Sequence, residues 1–346
     1  MEKNGAEVPP AARTRTLGTT GVTVTELALG AAPLAGLYRP VGAAQARAAV
    51  DAAWAAGVRY YDTAPHYGLG LSERRLGAAL AGRPAARRTV STKVGRLLRP
   101  LPPPHPADDL DHGFAVPATH ERVWDFTAAG VRRSLADSLD RLGLDRVDIA
   151  YLHDPDDHAG AAFGEALPEL ARLRAEGTVS AIGAGMNQTA MLTRFIRDSG
   201  ITLDVVLCAG RYTLLDQDAL RELLPVAAAR GTSVVIGGAF NSGLLADPRP
   251  GATYNYTAAP EPLLRRALRL KDVCEEHGVP LRAAALQFPF GHPAVSSVLV
   301  GARSAGEVRD AAAMMAHPIP GALWERLRAE ALLPPGVPVP PERAAP

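Results

Sequence analysis

Short apolar runs alternate with amphipathic stretches along this 346-residue chain. Each apolar run is rich in Val, Ile, Leu and Ala and is bounded by glycine or polar residues. Runs of this kind predict parallel strands that are buried on both faces. The predicted strands cover residues 26–34, 58–64, 89–95, 147–153, 180–186, 204–212, 232–240 and 295–302.

Helical periodicity fills the stretches between these strands, and several of the stretches end at a glycine, such as Gly57 or Gly143. Ser72 and Thr127 are expected to be N-caps, with Glu73 as a first-turn acid. The predicted helices cover 44–57, 72–82, 127–143, 164–177, 188–200, 219–231, 262–278 and 304–316, with a further helical stretch at 280–293 before its prolines.

Eight strand–helix pairs in this order predict an α/β fold of the (β/α)8 TIM-barrel type, with an open doubly wound sheet as the alternative. A short β-hairpin is predicted at 16–25, ahead of the barrel. We expect one domain over 14–330, with flexible tails at 1–13 and 334–346. The second tail is rich in proline, which excludes a regular helix, and it either covers the barrel mouth or is loose.

Two long insertions follow predicted strands and therefore fall on the C-terminal face of the barrel. The segment 96–126 carries Trp124, and the segment 241–261 carries Tyr254 and Tyr256. Aromatic loops at a barrel mouth form substrate pockets, but they also occur as surface loops packed on the barrel, and both interpretations stay open. If the loops form the pocket, they should set substrate choice and leave cofactor binding unchanged.

The composition of the chain limits the classes of molecule that it is expected to bind. The net charge of +1 argues against nucleic acid or an anionic membrane, and no stretch reaches the ~18 apolar residues of a membrane helix. The N-terminus lacks the apolar core of a signal peptide, and Cys208 and Cys274 lie in contexts typical of buried thiols in a reducing compartment. His105, His112 and His120 match no metal-binding spacing. We therefore expect a cytoplasmic monomer or homodimer that acts on a small molecule without a metal.

Four polar residues stand at or just beyond the ends of predicted strands: Asp62, Tyr67, Lys93 and His153. Parallel strands of one sheet end on the same rim, so these side chains are expected to converge. A tyrosine hydroxyl has an unperturbed pKa of about 10, but a lysine beside it favours the phenolate and a carboxylate holds the lysine in place. With a histidine to orient the hydroxyl, the set is suited to proton transfer at a carbonyl or alcohol oxygen, with the pKa of Tyr67 below 10.

Each of these residue types also has an ordinary structural explanation as a turn former or packing group. Their shared position at strand ends favours the functional interpretation. The string HDPDDH at 153–158 is either a solvated turn or a set of carboxylates that bind substrate hydroxyls. Trp124, Asp154 and Asp156 are therefore the candidate substrate contacts.

Over residues 14–330 the chain resembles the aldo-keto reductases. The strings that carry the resemblance are DTAPHYGLGLSE (62–73), STKVG (91–95), SLADSLDRLGLDRVDIAYLHDP (134–155) and VLVGARSAGEV (298–308). Within that family the chain is most similar to the sugar-dehydrogenase branch. The strings typical of this branch are YLHDPDDH (151–158), IGAGMNQ (182–188), AGRYTLLDQ (209–217) and GGAFNSGLL (237–245).

The resemblance implies an NAD(P)-dependent oxidoreductase with Asp62, Tyr67, Lys93 and His153 as its catalytic tetrad. We expect an aldose 1-dehydrogenase, in which a pyranose C1 hydroxyl loses its proton to Tyr67 and its hydride to the nicotinamide, giving a lactone. One alternative is a reductase of a non-sugar carbonyl. Another is a non-catalytic, cofactor-sensing subunit, against which the intact tetrad argues.

The resemblance also places NAD or NADP along the later strands. It puts Asn187 at the nicotinamide carboxamide, the backbone of 238–245 at the pyrophosphate and 301–308 at the adenosine. Glycines permit close backbone approach, and a helix that begins near Ser304 directs free N–H groups at an anion. Arg303 suits either a 2′-phosphate or adenine stacking, so the choice between NAD and NADP stays open. The expected dinucleotide contacts are Asn187, Gly238, Ala239, Phe240, Ser242, Leu244, Gly301, Arg303, Ser304 and Glu307.

Overall fold

Eight parallel strands form a closed barrel in the computed structural model, which describes residues 8–103, 107–255 and 257–342. Each barrel strand pairs with the next along the chain, and the last pairs with the first. The predicted (β/α)8 barrel is thus confirmed, and the open sheet is excluded. The barrel strands are Leu27–Gly30 (β3), Tyr60–Asp62 (β4), Thr89–Val94 (β5), Ile149–His153 (β8), Ala181–Met186 (β9), Val205–Ala209 (β10), Ser233–Gly237 (β11) and Val295–Gly301 (β14).

The helices lie outside the barrel and bury their apolar sides against it. The helices are Ala43–Ala55 (α1), Leu71–Leu80 (α2), Ala128–Leu142 (α3), Ala159–Ala161 (α4), Leu167–Ala175 (α5), Thr189–Asp198 (α6), Leu223–Arg230 (α7), Glu261–Glu276 (α8), Leu281–Gln287 (α9), Ala305–Ala316 (α10) and Gly321–Ala329 (α11). A π-helical turn, Ala162–Ala166, joins α4 to α5, so this helix begins earlier than its sequence predicts. Helix α11 was not predicted. None of the helices in the described residues is long and apolar enough to cross a membrane.

Two of the predicted helix starts have different outcomes. The Thr127 hydroxyl accepts a 3.0 Å hydrogen bond from the N–H of Gly130, so Thr127 caps α3 as expected. Ser72 is not an N-cap, because α2 begins one residue earlier, after the left-handed Gly70. Its hydroxyl instead accepts a hydrogen bond from Thr63 and donates one to the Ala31 carbonyl, which ties α2 to the rim of the barrel.

The hairpin Thr14–Thr16 (β1) and Thr23–Thr25 (β2) closes the N-terminal end of the barrel. Where the structure describes the two tails, both pack at this end of the barrel. In the first, Ala11 is buried. In the second, Val337 is buried and its carbonyl accepts a 2.8 Å hydrogen bond from Arg328. The proline-rich tail lies away from the barrel mouth, because it packs beside Gly291, just before β14 begins.

The two insertions form small antiparallel hairpins on the C-terminal face. In the first, Arg96–Pro100 (β6) pairs with His120–Trp124 (β7). In the second, Thr253–Tyr254 (β12) pairs with Thr257–Ala258 (β13). Each hairpin borders a different part of the candidate site. His105 and Tyr256 lie outside the described residues.

Candidate active site

A buried ion pair forms the centre of the site. The Nζ atom of Lys93 lies 2.6 Å from Oδ2 of Asp62 and donates a second hydrogen bond, 3.0 Å long, to the carbonyl of Thr63. Asp62 ends β4 and Lys93 lies near the end of the neighbouring β5, so the two side chains meet at the rim of the barrel. Burial alone lowers the pKa of Lys93, but Asp62 and Tyr67 outweigh it and raise that pKa above its usual value. Lys93 is therefore a permanent cation in the site.

Tyr67 lies directly over this cation, with Lys93 Nζ 4.7 Å from the centre of the Tyr67 ring. Burial raises the pKa of Tyr67 to about 12, and Lys93 opposes the rise without cancelling it. The expectation of a pKa below 10 is therefore wrong for this structure, because desolvation of the phenolate outweighs the attraction of the lysine. Tyr67 is an acid here at neutral pH.

Two histidines flank the tyrosine. The His153 ring is 5.8 Å from the Tyr67 ring and nearly perpendicular to it, and the His66 ring is 5.7 Å from that of His153. Burial lowers the pKa of His66 to about 2 and that of His153 well below its usual value, with Arg96 adding to both shifts. Nδ1 of each ring is buried without a hydrogen-bond partner among the described residues. Both rings are neutral, so each can orient a hydroxyl through an uncharged nitrogen.

A second ion pair borders the site. Arg96 pairs with Asp154, and its guanidinium lies 4.1 Å from the centre of the Trp124 ring. Asp154 Oδ2 is also 3.6 Å from His153 Nε2. Asp154 adopts a φ of 44°, which is uncommon for a residue other than glycine and is tolerated best by Asp and Asn. The structure therefore brings Asp154 and Trp124 together beside the tetrad.

Asp156, the third candidate substrate contact, lies in a short 3₁₀ turn beyond this pair. Burial raises its pKa, and its Oδ1 has no hydrogen-bond partner among the described residues. Across the described ranges, no three His, Cys, Asp or Glu side chains come together as metal ligands would. His112 and His120 instead contact Asp109 and Thr119.

Arg122 fastens the first insertion to the turn that carries Tyr67, and a third ion pair, with Asp109, holds Arg122 within the insertion. Arg122 donates hydrogen bonds of 2.9 Å to Asp109 Oδ1 and to the carbonyl of His66, the residue before Tyr67. Phe114, at the centre of the same insertion, packs 5.6 Å from the His66 ring and 6.2 Å from the Tyr67 ring. The insertion therefore forms one wall of the site around the tyrosine.

A cavity of about 1030 Å³ opens along the later strands. Eight of the ten expected dinucleotide contacts line it: Asn187, Gly238, Ala239, Phe240, Ser242, Gly301, Arg303 and Glu307. Leu244 is instead buried in the core, and the Ser304 hydroxyl caps α10 by accepting a hydrogen bond from the N–H of Glu307. Its lining residues follow β9 and β11 and include the end of β14, so the cavity lies across the ends of several barrel strands.

The residues of this cavity fit a dinucleotide. Nε and Nη1 of Arg303 are buried without hydrogen-bond partners among the described residues, although Nε lies 3.2 Å from the Glu307 carboxylate. These N–H groups can donate to a phosphate or to adenine. Gly238 lines the cavity with a φ of 61°, and a Cβ at this position would lie only 3.1 Å from the backbone nitrogen of Gly210, so glycine permits the close approach of these two segments. Asn187 is held there by a 2.9 Å hydrogen bond to the Ala209 carbonyl.

Both insertions lie beside the cavity along the later strands as well as on the C-terminal face of the barrel. The second borders the dinucleotide cavity, and Tyr254 packs away from the tetrad with its hydroxyl 3.3 Å from Asp216. The first also reaches this cavity, because Phe114 pairs with Leu37 and the Tyr38 N–H donates to Gly113. Leu37 and Tyr38 both line the cavity. Both insertions therefore border the cavity that is expected to hold the cofactor, and we expect them to affect cofactor binding as well as substrate choice.

Sequence reasoning missed His66, Arg96 and Arg122. His66 and Arg96 could have been found from the sequence, because His66 lies next to Tyr67 and Arg96 lies three residues after Lys93. Arg122 carries no local signal, because its contact with the catalytic turn spans 56 residues of chain.

The closed barrel, the Tyr–Lys–Asp–His cluster at its mouth and the elongated cavity beside it define a barrel oxidoreductase. The chain matches the Aldo/keto reductase family over residues 26–330 and belongs to this family. It is 46% identical to the D-threo-aldose 1-dehydrogenase of a Pseudomonas species, over 91% of this chain and 96% of that protein. It is 43% identical to the pyridoxal 4-dehydrogenase of Microbacterium luteolum, over 93% and 98%.

A third relative is the L-galactose dehydrogenase of Arabidopsis thaliana, 32% identical over 86% of each chain. Among solved structures, the holo form of an aldo-keto reductase from Bacillus halodurans is similar with a TM-score of 0.70 and 25% identity, over 94% of this chain and 98% of the other. A glycerol dehydrogenase from Gluconobacter oxydans shares the fold with a TM-score of 0.72 at 22% identity, over 96% and 99%. The protein is thus an oxidoreductase, and a nicotinamide dinucleotide is its class of cofactor.

Proposed function

We propose that this protein is an NAD(P)-dependent aldose 1-dehydrogenase in which Tyr67 exchanges the proton of the sugar C1 hydroxyl. The observation that carries the proposal is the stacking of Tyr67 over the buried Lys93–Asp62 pair. The 46% identity to a D-threo-aldose 1-dehydrogenase over nearly the whole chain supports the aldose as substrate.

In the oxidation, the C1–H bond breaks and its electron pair leaves with the hydrogen as hydride, while the C1 hydroxyl gives up its proton and a lactone forms. A dinucleotide bound in the cavity along the later strands would supply the hydride acceptor. Tyr67 receives the proton, and neutral His153 orients the hydroxyl toward it. Lys93 stabilises the phenolate that accepts this proton, and Asp62 holds Lys93 in place.

The surroundings of Tyr67 suit a sugar. Trp124 is 42% exposed, although Arg96 lies over its ring at 4.1 Å and Phe126 stacks on it at 5.8 Å. Asp154 is partly exposed beside it and accepts hydrogen bonds, as a carboxylate that binds sugar hydroxyls does. We therefore propose that the sugar contacts the exposed edge of Trp124 while Asp154 binds one of its hydroxyls.

A carbonyl reductase is the second candidate, and one observation favours it. With a pKa of about 12, Tyr67 is protonated at neutral pH and is ready to donate its proton to a carbonyl oxygen. The 43% identity to a pyridoxal 4-dehydrogenase also admits a substrate that is not a sugar.

The direct test measures reduction of NAD⁺ and NADP⁺ with a panel of aldoses and simple alcohols, followed by the reverse reaction with aldehydes. The proposal predicts kcat/KM values for one group of aldoses well above those for simple alcohols. Faster turnover of non-sugar aldehydes than of any aldose would favour the reductase. Dinucleotide binding with no turnover in either direction would contradict both candidates.

A further inference from the structure

A chain of hydroxyl groups runs through the interior of the barrel below the tetrad. Ser91 Oγ lies 2.7 Å from Asp62 Oδ1 and 3.2 Å from the Tyr60 hydroxyl, which lies 3.0 Å from the Tyr151 hydroxyl. These side chains come from three adjacent strands, and each is at most 1% exposed. The chain starts at the carboxylate oxygen that Lys93 does not use.

The chemistry of the groups fixes the direction of the chain. A carboxylate accepts hydrogen bonds and a hydroxyl has one proton to donate, so the proton of Ser91 goes to Asp62. The contact between Ser91 and Tyr60 is then made with the proton of Tyr60, and the next contact with the proton of Tyr151. Every proton in the chain points toward Asp62.

The chain does not lead to solvent. Among the described residues it ends at Tyr151, which belongs to the apolar cluster that Leu17, Val24 and Val205 form at the closed end of the barrel. Burial raises the pKa values of Tyr60 and Tyr151, so both phenols keep their protons and remain donors. The role of these hydroxyls therefore lies at the other end of the hydrogen-bonded series, where it meets the Asp62 carboxylate.

We propose that Ser91, Tyr60 and Tyr151 are positioning residues, whose converging hydrogen bonds hold the Asp62 carboxylate in place and so keep Lys93 fixed beside Tyr67. Hydrogen bonds to the charged form of a carboxylate favour that form, and each donor in a chain of hydroxyls strengthens the next bond. The inference rests on the proposed role of Tyr67 in proton transfer.

The test compares Ser91→Ala, Tyr60→Phe and Tyr151→Phe with the wild type. The measurement is the pH dependence of kcat/KM for oxidation of an aldose, because that direction needs the Tyr67 phenolate, which Lys93 stabilises. The rising limb of this profile should move to higher pH, because a less firmly held Lys93 stabilises the Tyr67 phenolate less. The shift should be about one pH unit or more for Ser91→Ala, smaller for Tyr60→Phe and smallest for Tyr151→Phe.

Tyr61→Phe is the matched control. Tyr61 is the neighbour of Tyr60 on β4 and is equally buried, but its hydroxyl donates a 2.9 Å hydrogen bond to the Val58 carbonyl and takes no part in the chain. This variant should lose thermal stability as the others do and keep the wild-type pH profile. Thermal melting shows which variants fold. If Ser91→Ala does not fold, the pH profiles of Tyr60→Phe and Tyr151→Phe test the positioning role.

Wild-type pH profiles in the folded chain variants, or an equal shift in Tyr61→Phe, would overturn the positioning role. This failure is distinct from that of the proposed function. If Tyr67→Phe retains full activity, proton transfer by Tyr67 is wrong. If Tyr67→Phe is inactive while the chain variants keep the wild-type profile, the proton-transfer role stands and the positioning role is wrong.

Discussion

Arg122 donates a 2.9 Å hydrogen bond to the main-chain carbonyl of His66, and so holds the turn that carries Tyr67. The side chain of Arg122 is nearly buried and is also paired with Asp109. Through this contact and through Phe114, the 96–126 insertion is a structural part of the catalytic site. The same insertion pairs with Leu37 at the wall of the dinucleotide cavity.

Shortening the insertion at 100–122 should therefore weaken the binding of both the substrate and the dinucleotide. The wall residues Leu37 and Tyr38 lose their partners, and the turn that carries Tyr67 loses Phe114. The measurements are the dinucleotide Kd from fluorescence titration and kcat/KM across the aldose panel. An unchanged Kd with altered sugar preference would return the insertion to a role in substrate choice alone.

Tyr67→Phe should lower kcat by the ~10²–10⁴-fold expected of a lost acid–base group. The substitution keeps the ring against Lys93 and His153 and removes the one hydroxyl that exchanges the proton. Steady-state kinetics in both directions measure the loss, and the dinucleotide Kd, which should be little changed, is the control. Wild-type turnover by this variant would show that another group transfers the proton.

Lys93→Met should impair both activity and folding. It leaves the Asp62 carboxylate buried without its cation, which costs on the order of 3–5 kcal/mol of unfolding free energy. Adding Asp62→Leu removes that uncompensated charge and should restore much of the stability without restoring activity. Denaturant unfolding and kcat for the single and double variants separate the two effects. An active double variant would contradict the role of Lys93.

The pH dependence should differ between the two directions of the reaction. Oxidation needs the Tyr67 phenolate, and with a pKa of about 12 the phenolate fraction rises about tenfold per pH unit below that value. The oxidation rate should thus climb through the neutral and mildly alkaline range without a plateau, whereas reduction should be flat there. The check is kcat/KM against pH in both directions, and a plateau in oxidation near neutral pH would contradict the raised pKa.

Asp154→Ala should lower kcat/KM for aldoses more than kcat/KM for simple alcohols. The loss of a charged hydrogen bond to a sugar hydroxyl corresponds to about a 10-fold or greater fall in kcat/KM. Asp157→Ala is the matched control, because Asp157 is exposed on the same turn and should leave both substrate classes unchanged. Equal losses for aldoses and simple alcohols would show that Asp154 acts through Arg96 and not through the sugar.

The barrel and its rim were predictable because both depend on local patterns. Short apolar runs, glycine helix stops and a cap such as Thr127 place the elements, and strand ends place Asp62, Lys93 and His153 together. The pKa of Tyr67 was not predictable, because the balance between burial and the lysine depends on packing by an insertion that has no periodicity.

The long-range contacts could not be predicted from the sequence either, because they too depend on tertiary packing. No local pattern indicates that Arg122 reaches His66, or that the hydroxyls of Ser91, Tyr60 and Tyr151 meet inside the barrel. Ser72 shows the opposite failure, since a residue with the right chemistry for a cap is used instead to join α2 to the barrel rim.

The N-terminal hairpin and the proline-rich tail both lie at the end of the barrel opposite Tyr67. In barrels of this type, that end contributes stability and the other end contributes chemistry. Variants from a mutagenesis library confined to the hairpin and the tail should therefore differ in melting temperature and keep the geometry around Tyr67. Variants from a library in 96–126 should differ in substrate specificity. Because effects at sites more than about 7–10 Å apart usually add, the best variants of each library can be recombined without being selected again together.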